Sequence, residues 1–210
     1  MINSDITNRP EGFVYLKDVV PEIQLDLRYY GSNNFLGTHV DGYQQPVCLI
    51  TKPAALALKD VQEELNSFGL GLKVFDAYRP QRAVDQFVRW ADDPGDITNK
   101  AEYYPDLEKR QLIPEGYIAR KSSHSRGSTA DLTIIDLTTL KELDMGTQFD
   151  YFSPKSWPDN LSITPAQRAH RMLLQKIMQK HGFSPLNEEW WHFTLQTEPH
   201  PDQYFNFPVK

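Results

Sequence analysis

Apolar residues recur at every third or fourth position in three stretches of the chain, and each stretch predicts a helix. The clearest begins after Thr51, with Pro53 in its first turn, and Gly69 stands where a C-terminal cap belongs. Its apolar stripe consists of four residues: Leu58, Val61, Leu65 and Phe68. This spacing is typical of a helix that covers a hydrophobic core.

Two further helices are predicted, one from about Gln81 to Ala91 and one that opens at Thr164 and Pro165. The second of these is closed by Lys180, His181 and Gly182, where positive side chains and a glycine favour a helix end. Its expected buried face is formed by Ala166, Ala169, Leu173 and Ile177.

Strand-like stretches lie between and around these helices. They are Phe13–Leu16, Leu70–Tyr78, Leu132–Asp136 and Trp190–Leu195. The stretch from Asp92 to Gly116 contains three prolines and two tyrosines without periodicity, which predicts a long surface loop. Because helices and strands do not alternate in a βαβ rhythm, the pattern favours an α+β fold in one domain over residues 1–210.

Composition narrows the classes of protein that remain. A chain of 210 residues with 40% hydrophobic residues can bury about 70% of its unfolded surface, so it needs no disulfide or structural metal. A net charge of −6 without a Lys/Arg-rich run speaks against nucleic acid as a partner. Cys48 is the only cysteine, so any metal must be held by histidines and carboxylates.

The apolar runs are far too short for a membrane span, and Met1–Pro10 has neither the basic start nor the apolar stretch of a signal peptide. We therefore expect a soluble protein that is cytoplasmic as the sequence stands. If a signal peptide has been removed, the expected location is the periplasm.

His124 and Asp131 are the first pair of residues that suggest a site. They lie seven positions apart, and Gly127 between them favours a turn that lets both side chains point at one ion. The alternatives are a turn histidine and an aspartate that braces the turn.

The second part of the candidate site is Glu189 and His192, at the start of the last predicted strand. Two imidazoles and one carboxylate, from His124, Asp131 and His192, suffice for a catalytic zinc with an open fourth position. Glu189 is then available as the base that takes a proton from water. A core histidine and a solvated strand-end glutamate are the corresponding structural interpretations.

Arg79 follows a predicted strand, three residues after Asp76. This pair is typical of a structural ion pair. It also fits a cation that meets negative charge developing on a carbonyl oxygen, with Asp76 orienting the guanidinium. Both interpretations can hold together.

These residues resemble a known family, the zinc-dependent D-alanyl-D-alanine dipeptidases of the VanX type. The resemblance is carried by Ser122-x-His124-x-x-Gly127 with Asp131, Glu189-Trp190-Trp191-His192, Asp76-x-Tyr78-Arg79-Pro80, and the tail Tyr204–Lys210. It also includes Asp41-Gly42-Tyr43 and Phe149-Asp150, so it covers nearly the whole chain from about Phe13.

The resemblance implies a mainly antiparallel central sheet flanked by helices, and hydrolysis of D-alanyl-D-alanine with one Zn²⁺ per chain. It implies that His124, Asp131 and His192 bind the metal, that Glu189 is the general base and then acid, and that Arg79 stabilises the transition state. Ser122 would receive the substrate carboxylate, while Asp150 and Tyr29 would receive its ammonium group. Asp76 is expected to belong to the same substrate-binding set.

The sequence departs from the family at Thr129, where the family usually has alanine two positions before the zinc aspartate. We expect this hydroxyl to change the packing beside the metal rather than the reaction.

Three other functions stay open at this stage. They are a peptidoglycan D,D-carboxypeptidase or endopeptidase with the same zinc site, a non-catalytic zinc-bearing binding module, and a metal-free interaction protein. Self-association into a homo-oligomer is compatible with each.

Overall fold

The computed structural model describes residues 9–210. Its strands are β1 (Phe13–Tyr15), β2 (Gln24–Leu25), β3 (Leu49–Thr51), β4 (Leu70–Asp76), β5 (Thr129–Asp136), β6 (Phe183–Pro185) and β7 (His192–Leu195). Its α-helices are α1 (Leu16–Val19), α2 (Lys52–Asn66), α3 (Gln81–Asp92), α4 (Lys100–Tyr103), α5 (Lys109–Leu112) and α6 (Pro165–Lys180). Two 3₁₀ turns cover Ser123–Arg126 and Pro154–Ser156.

The central sheet has five strands in the order β2-β4-β5-β7-β6, and β1 and β3 form a separate antiparallel pair. Within the central sheet only β2 and β4 run parallel. The expected α+β fold with a mainly antiparallel sheet is therefore confirmed.

Helix α2 confirms most of its sequence prediction. Leu58, Val61 and Leu65 are all buried, as the spacing of the stripe requires. Phe68 is the exception, because the helix ends at Asn66 and the Phe68 side chain is 70% exposed in the turn that follows. Gly69 has φ +71°, the left-handed conformation that a helix-ending glycine supplies.

Helix α6 begins as predicted, with a capping box between Thr164 and Gln167, but its expected buried face is wrong. The residues that face the core are Arg171, Leu174, Ile177 and Met178, of which only Ile177 was expected. One of them, Arg171, is a charged residue whose guanidinium donates hydrogen bonds to the carbonyls of Met145 and Trp157. Because arginine is polar, an arginine buried by hydrogen bonds to backbone carbonyls cannot be found from the spacing of apolar residues.

The prediction of a long surface loop over 92–116 is also wrong. The segment contains α4 and α5, and it buries Tyr103, Tyr104, Leu107 and Leu112. Elements of four residues are too short to show a helical period, and aromatic residues fill the core here without one.

Strand boundaries differ from the prediction by a few residues. Strand β4 ends at Asp76 rather than Tyr78, β5 begins at Thr129 rather than Leu132, and β7 begins at His192 rather than Trp190. Three strands, β2, β3 and β6, have no counterpart among the predicted strands.

The segment that follows β7 packs into the core. Phe205, Phe207 and Val209 are buried, and the ring of Phe207 stacks on that of Tyr78 with 4.1 Å between centroids. The Tyr78 hydroxyl donates a hydrogen bond of 2.8 Å to the Phe207 carbonyl. The end of β4 is therefore held in place by residues far away in the sequence. Among residues 9–210, no helix has the length and hydropathy needed to span a membrane.

Candidate metal centre and active site

The three predicted metal ligands meet at one end of the central sheet. Asp131 on β5 is the register partner of His192 on β7, so the sheet itself sets these two residues side by side. His124 lies in the 3₁₀ turn before β5, and Gly127, at φ +89°, ends that turn and sends the chain into the strand. His124 Nε2 lies 3.3 Å from His192 Nδ1 and 3.1 Å from Asp131 Oδ2.

These donor atoms fit a divalent metal ion such as Zn²⁺. Asp131 Oδ1 is buried, lies 3.3 Å from His192 Nδ1 and has no hydrogen-bond partner. A buried carboxylate oxygen without a partner is costly unless something else satisfies it. Each imidazole uses its other nitrogen elsewhere: His124 Nδ1 is 2.7 Å from the Ala77 carbonyl, and His192 Nε2 is 3.2 Å from Ser123 Oγ. Two nitrogens and one oxygen are thus left facing each other, a common ligand set for catalytic zinc.

The electrostatics of the cluster favour a bound cation. Burial by itself raises the pKa of Asp131, but His124 and His192 outweigh that effect and lower it below its usual range. Burial lowers the pKa of His192, yet the neighbouring carboxylates of Asp131 and Glu189 raise it to about 9. The Asp131 carboxylate is therefore kept ionised, and its negative charge stabilises a cation beside it.

Glu189 lies beside this cluster in the loop between β6 and β7. Its Oε2 is 3.5 Å from His192 Nδ1, and its side chain is 12% exposed. The following residue, Trp190, anchors the loop: its backbone N–H donates to the Ser156 carbonyl and its indole N–H donates to Thr147 Oγ1. The Glu189 carboxylate is thus held at the edge of the three candidate ligands without being one of them.

Arg79 lies in a buried network of charges. Its Nε donates to Asp76 Oδ2 at 2.8 Å, and its Nη2 donates to Asp131 Oδ2 at 3.3 Å. The guanidinium also lies over the ring of Tyr29, 4.9 Å from the centroid. The ion pair with Asp76 predicted from the sequence is present, and the same guanidinium lines the cavity beside the candidate metal ligands.

Asp76 lies behind Arg79 and does not line the cavity. Its second carboxylate oxygen accepts a hydrogen bond of 2.7 Å from the Tyr43 hydroxyl. Its geometry therefore fits orientation of the guanidinium and gives it no direct path to a ligand.

Asp150 and Tyr29 meet on another side of the cavity. The Tyr29 hydroxyl donates a hydrogen bond of 2.8 Å to Asp150 Oδ2, and both side chains are buried. Asp150 has φ +61°, an uncommon conformation for a residue with a side chain. Burial, followed by the nearby charge of Asp131, raises the pKa of Asp150 well above its usual value. A cation placed against Asp150 would reverse that effect.

Ser122 precedes the His124 turn and caps it. Its Oγ accepts a hydrogen bond of 3.3 Å from the backbone N–H of His124, and the residue also lines the cavity. Capping of the turn by Ser122 is compatible with binding of a ligand by the same side chain.

A cavity of about 210 Å³ joins these groups. Eight of the nine predicted site residues line it: Tyr29, Arg79, Ser122, His124, Asp131, Asp150, Glu189 and His192. Sequence reasoning missed Ser123 and the aromatic wall formed by Phe35, Phe87, Tyr117 and Phe152. Ser123 stands inside the histidine motif and could have been found there, whereas nothing in the pattern marks the wall residues.

Thr129, the departure from the family pattern, does not face the cavity. Its hydroxyl is 2.8 Å from that of Thr194, its register partner on β7. The hydroxyl that threonine adds at this position is therefore accommodated by a hydrogen bond between β5 and β7.

Comparison with known proteins adds independent findings. A family model described as D-Ala-D-Ala dipeptidase matches residues 9–210. The chain is 43% identical over 198 residues to the D-alanyl-D-alanine dipeptidase of Enterococcus faecalis, and 42% identical over 197 residues to that of Streptomyces coelicolor. Each alignment covers 94% of this chain and 98% of the relative. A protein of the same description from Enterococcus faecium is 39% identical over 199 residues, which is 95% of this chain and 98% of that protein.

Proposed function

Since this chain belongs to the D-Ala-D-Ala dipeptidase family of metallopeptidases, we propose that it hydrolyses D-alanyl-D-alanine with a Zn²⁺ ion held by His124, Asp131 and His192. The observation that carries the proposal is the meeting of these three ligands, with an unpartnered carboxylate oxygen, at the wall of a cavity of about 210 Å³. When bound, Zn²⁺ lowers the pKa of a water molecule and polarises a peptide carbonyl.

Glu189 moves the protons. Its carboxylate accepts a proton from the water that attacks the peptide carbon and then delivers it to the nitrogen of the departing amine. The peptide C–N bond breaks, and two amino acids leave. The support for this role is position, since Oε2 lies 3.5 Å from a ligating nitrogen and the side chain lines the cavity.

Arg79 meets the negative charge that develops on the peptide oxygen. Its guanidinium is held by Asp76 and Asp131 before any substrate arrives, so no reorganisation is needed during the reaction. Stacking over Tyr29 further restricts it. A preorganised donor of this kind typically contributes 10²-fold to 10³-fold in turnover.

Two sites bind the charged ends of a dipeptide. Asp150 and Tyr29 receive the ammonium group, and a cation there compensates the buried carboxyl. Ser122 receives the carboxylate. A substrate with an additional residue would leave one of its polar groups without a partner in the cavity, which is the basis for rejecting longer peptides.

The test is release of free alanine from D-Ala-D-Ala by purified protein, with and without a metal chelator. L-Ala-L-Ala and a tripeptide ending in D-Ala-D-Ala are the comparison substrates. The diagnostic variant is Glu189→Gln, and Glu188→Gln is its matched control, because Glu188 is adjacent but does not line the cavity.

We expect cleavage of D-Ala-D-Ala that is abolished by the chelator and restored by Zn²⁺. Glu189→Gln should lower turnover by about 10²-fold to 10⁴-fold, whereas Glu188→Gln should retain it. Comparable cleavage of the tripeptide would refute the two-ended recognition and point to a D,D-carboxypeptidase or endopeptidase. Zinc binding without cleavage of any of the three would point to a binding module.

A further inference from the structure

The two imidazole ligands are oriented by different kinds of group. His124 Nδ1–H donates a hydrogen bond of 2.7 Å to a backbone carbonyl, that of Ala77. His192 Nε2 is 3.2 Å from a side-chain hydroxyl, that of Ser123. The orientation of His192 therefore depends on a residue that can be changed without altering the backbone.

The position of Ser123 makes this contact specific. Ser123 and His124 are neighbours in one 3₁₀ turn, whereas His192 lies 69 residues away from Ser123 on β7. The turn thus supplies one ligand directly and contacts the second ligand through the adjacent hydroxyl. No other hydrogen bond to His192 Nε2 exists among residues 9–210.

The chemistry of the imidazole gives this contact a consequence. For Nδ1 to face the metal as a lone-pair donor, the ring must carry its proton on Nε2. A hydroxyl oxygen next to Nε2 accepts that proton's hydrogen bond and so favours the required tautomer and ring orientation.

We propose that Ser123 is a positioning residue that accepts a hydrogen bond from His192 Nε2–H and thereby presents His192 Nδ1 to Zn²⁺. This inference rests on the proposed zinc ligation by His192. Loss of such a partner of a metal-bound histidine typically weakens metal affinity by 10-fold to 100-fold.

The turn itself provides a matched control. Ser125 lies two positions after Ser123 in the same turn, is fully buried, and its Oγ has no hydrogen-bond partner. Ser125→Ala removes a hydroxyl from the same local structure without touching His192. Ser123→Thr keeps the hydroxyl and serves as the conservative variant.

The experiment measures zinc affinity directly, by competition with a chromogenic chelator, for the wild type, Ser123→Ala, Ser123→Thr, Ser125→Ala and His192→Ala. The absorption spectrum of each protein loaded with Co²⁺ reports the geometry of the ligands, and thermal melts of the metal-free proteins report the integrity of the fold. None of these readouts depends on activity.

We expect Ser123→Ala to weaken zinc affinity by about 10-fold or more and to change the Co²⁺ spectrum, with an unchanged metal-free melting temperature. Ser123→Thr and Ser125→Ala should resemble the wild type. Wild-type affinity and spectrum in Ser123→Ala, or equal losses in Ser123→Ala and Ser125→Ala, would overturn the inference.

The failure of this inference and the failure of the proposed function give different results. If zinc binds the wild type tightly and is lost in His192→Ala but not in Ser123→Ala, only the role of Ser123 falls. If the wild type and His192→Ala bind zinc equally, the proposed ligand set falls, and the role of Ser123 falls with it.

Discussion

Replacing Gly127 by alanine should damage the turn that carries His124 more than the loss of a glycine alone explains. Gly127 has φ +89°, so alanine pays about 1–2 kcal/mol for a left-handed backbone. In addition, a Cβ at this position would overlap the ring of Phe13. That ring is packed edge-on against Tyr78, Phe205 and Phe207 and has little freedom to move aside.

Gly69→Ala is the matched control for this change. Gly69 also has a positive φ, +71°, but a Cβ there would meet no atom within 4 Å. Gly69→Ala should therefore lose only the stability due to the left-handed backbone, about 1–2 kcal/mol. Gly127→Ala has the same backbone cost and loses about 1–3 kcal/mol more through overpacking, so its free energy of unfolding should fall by about 2–5 kcal/mol.

The assay is urea unfolding of metal-free wild type and both variants, together with the zinc content of each folded protein. We expect Gly127→Ala to be the less stable variant and to hold less zinc, and Gly69→Ala to keep its zinc. Adding Phe13→Leu should make Gly127→Ala less costly, because a smaller side chain leaves room for the Cβ. Equal losses in the two alanine variants, with full zinc content in both, would refute the idea that Phe13 fixes this turn.

Three other measurements test the site and its surroundings. Arg79→Lys keeps the charge but loses the planar pair of hydrogen bonds, so kcat for D-Ala-D-Ala should fall by about 10²-fold in steady-state assays; near-normal turnover would leave only the ion-pair role. Zinc at 100 times its dissociation constant should stabilise the wild type by about 2.7 kcal/mol in thermal melts, and His124→Ala should remove most of this gain. Glu64 accepts hydrogen bonds from Lys180 and His181, which lower its pKa below the ordinary 4.5. A carboxyl group whose pKa is lower in the folded protein stabilises the fold above its unfolded pKa, and this stabilisation is lost as the pH falls. Glu64→Gln should therefore lose stability at pH 7 and little at pH 3, and an equal loss at both pH values would contradict this.

Two of the candidate metal ligands could be predicted to lie together because they belong to one local motif. His124, Gly127 and Asp131 stand within eight residues of one another, and a glycine turn between a histidine and a strand is visible in the sequence. That His192 joins them depends on the register between β5 and β7, which no local pattern gives. The residue types suggested that His192 joins His124 and Asp131, and the family resemblance implied the same set.

Other parts of the fold could not be predicted, for physical reasons that differ. The inner face of α6 includes Arg171, whose charge is satisfied by two backbone carbonyls that only the folded chain brings near. The cavity wall uses Phe35 and Phe87, which come from distant segments and look like ordinary core residues in the sequence. Likewise, the hydroxyl of Ser123 has a defined partner only once β7 is in place.

The packing of Phe207 on Tyr78 has a consequence for how the protein is made. Tyr78 immediately precedes Arg79, and the Gln81 N–H donates to the Phe205 carbonyl, so the segment after β7 supports the chain on both sides of Arg79. A nascent chain on the ribosome exposes His124 and Asp131 long before His192 and Phe207 have emerged. With contacts this distant in sequence, folding of the centre must wait for translation to pass residue 207. The candidate metal site is therefore expected to be completed only after residue 207 has been synthesised.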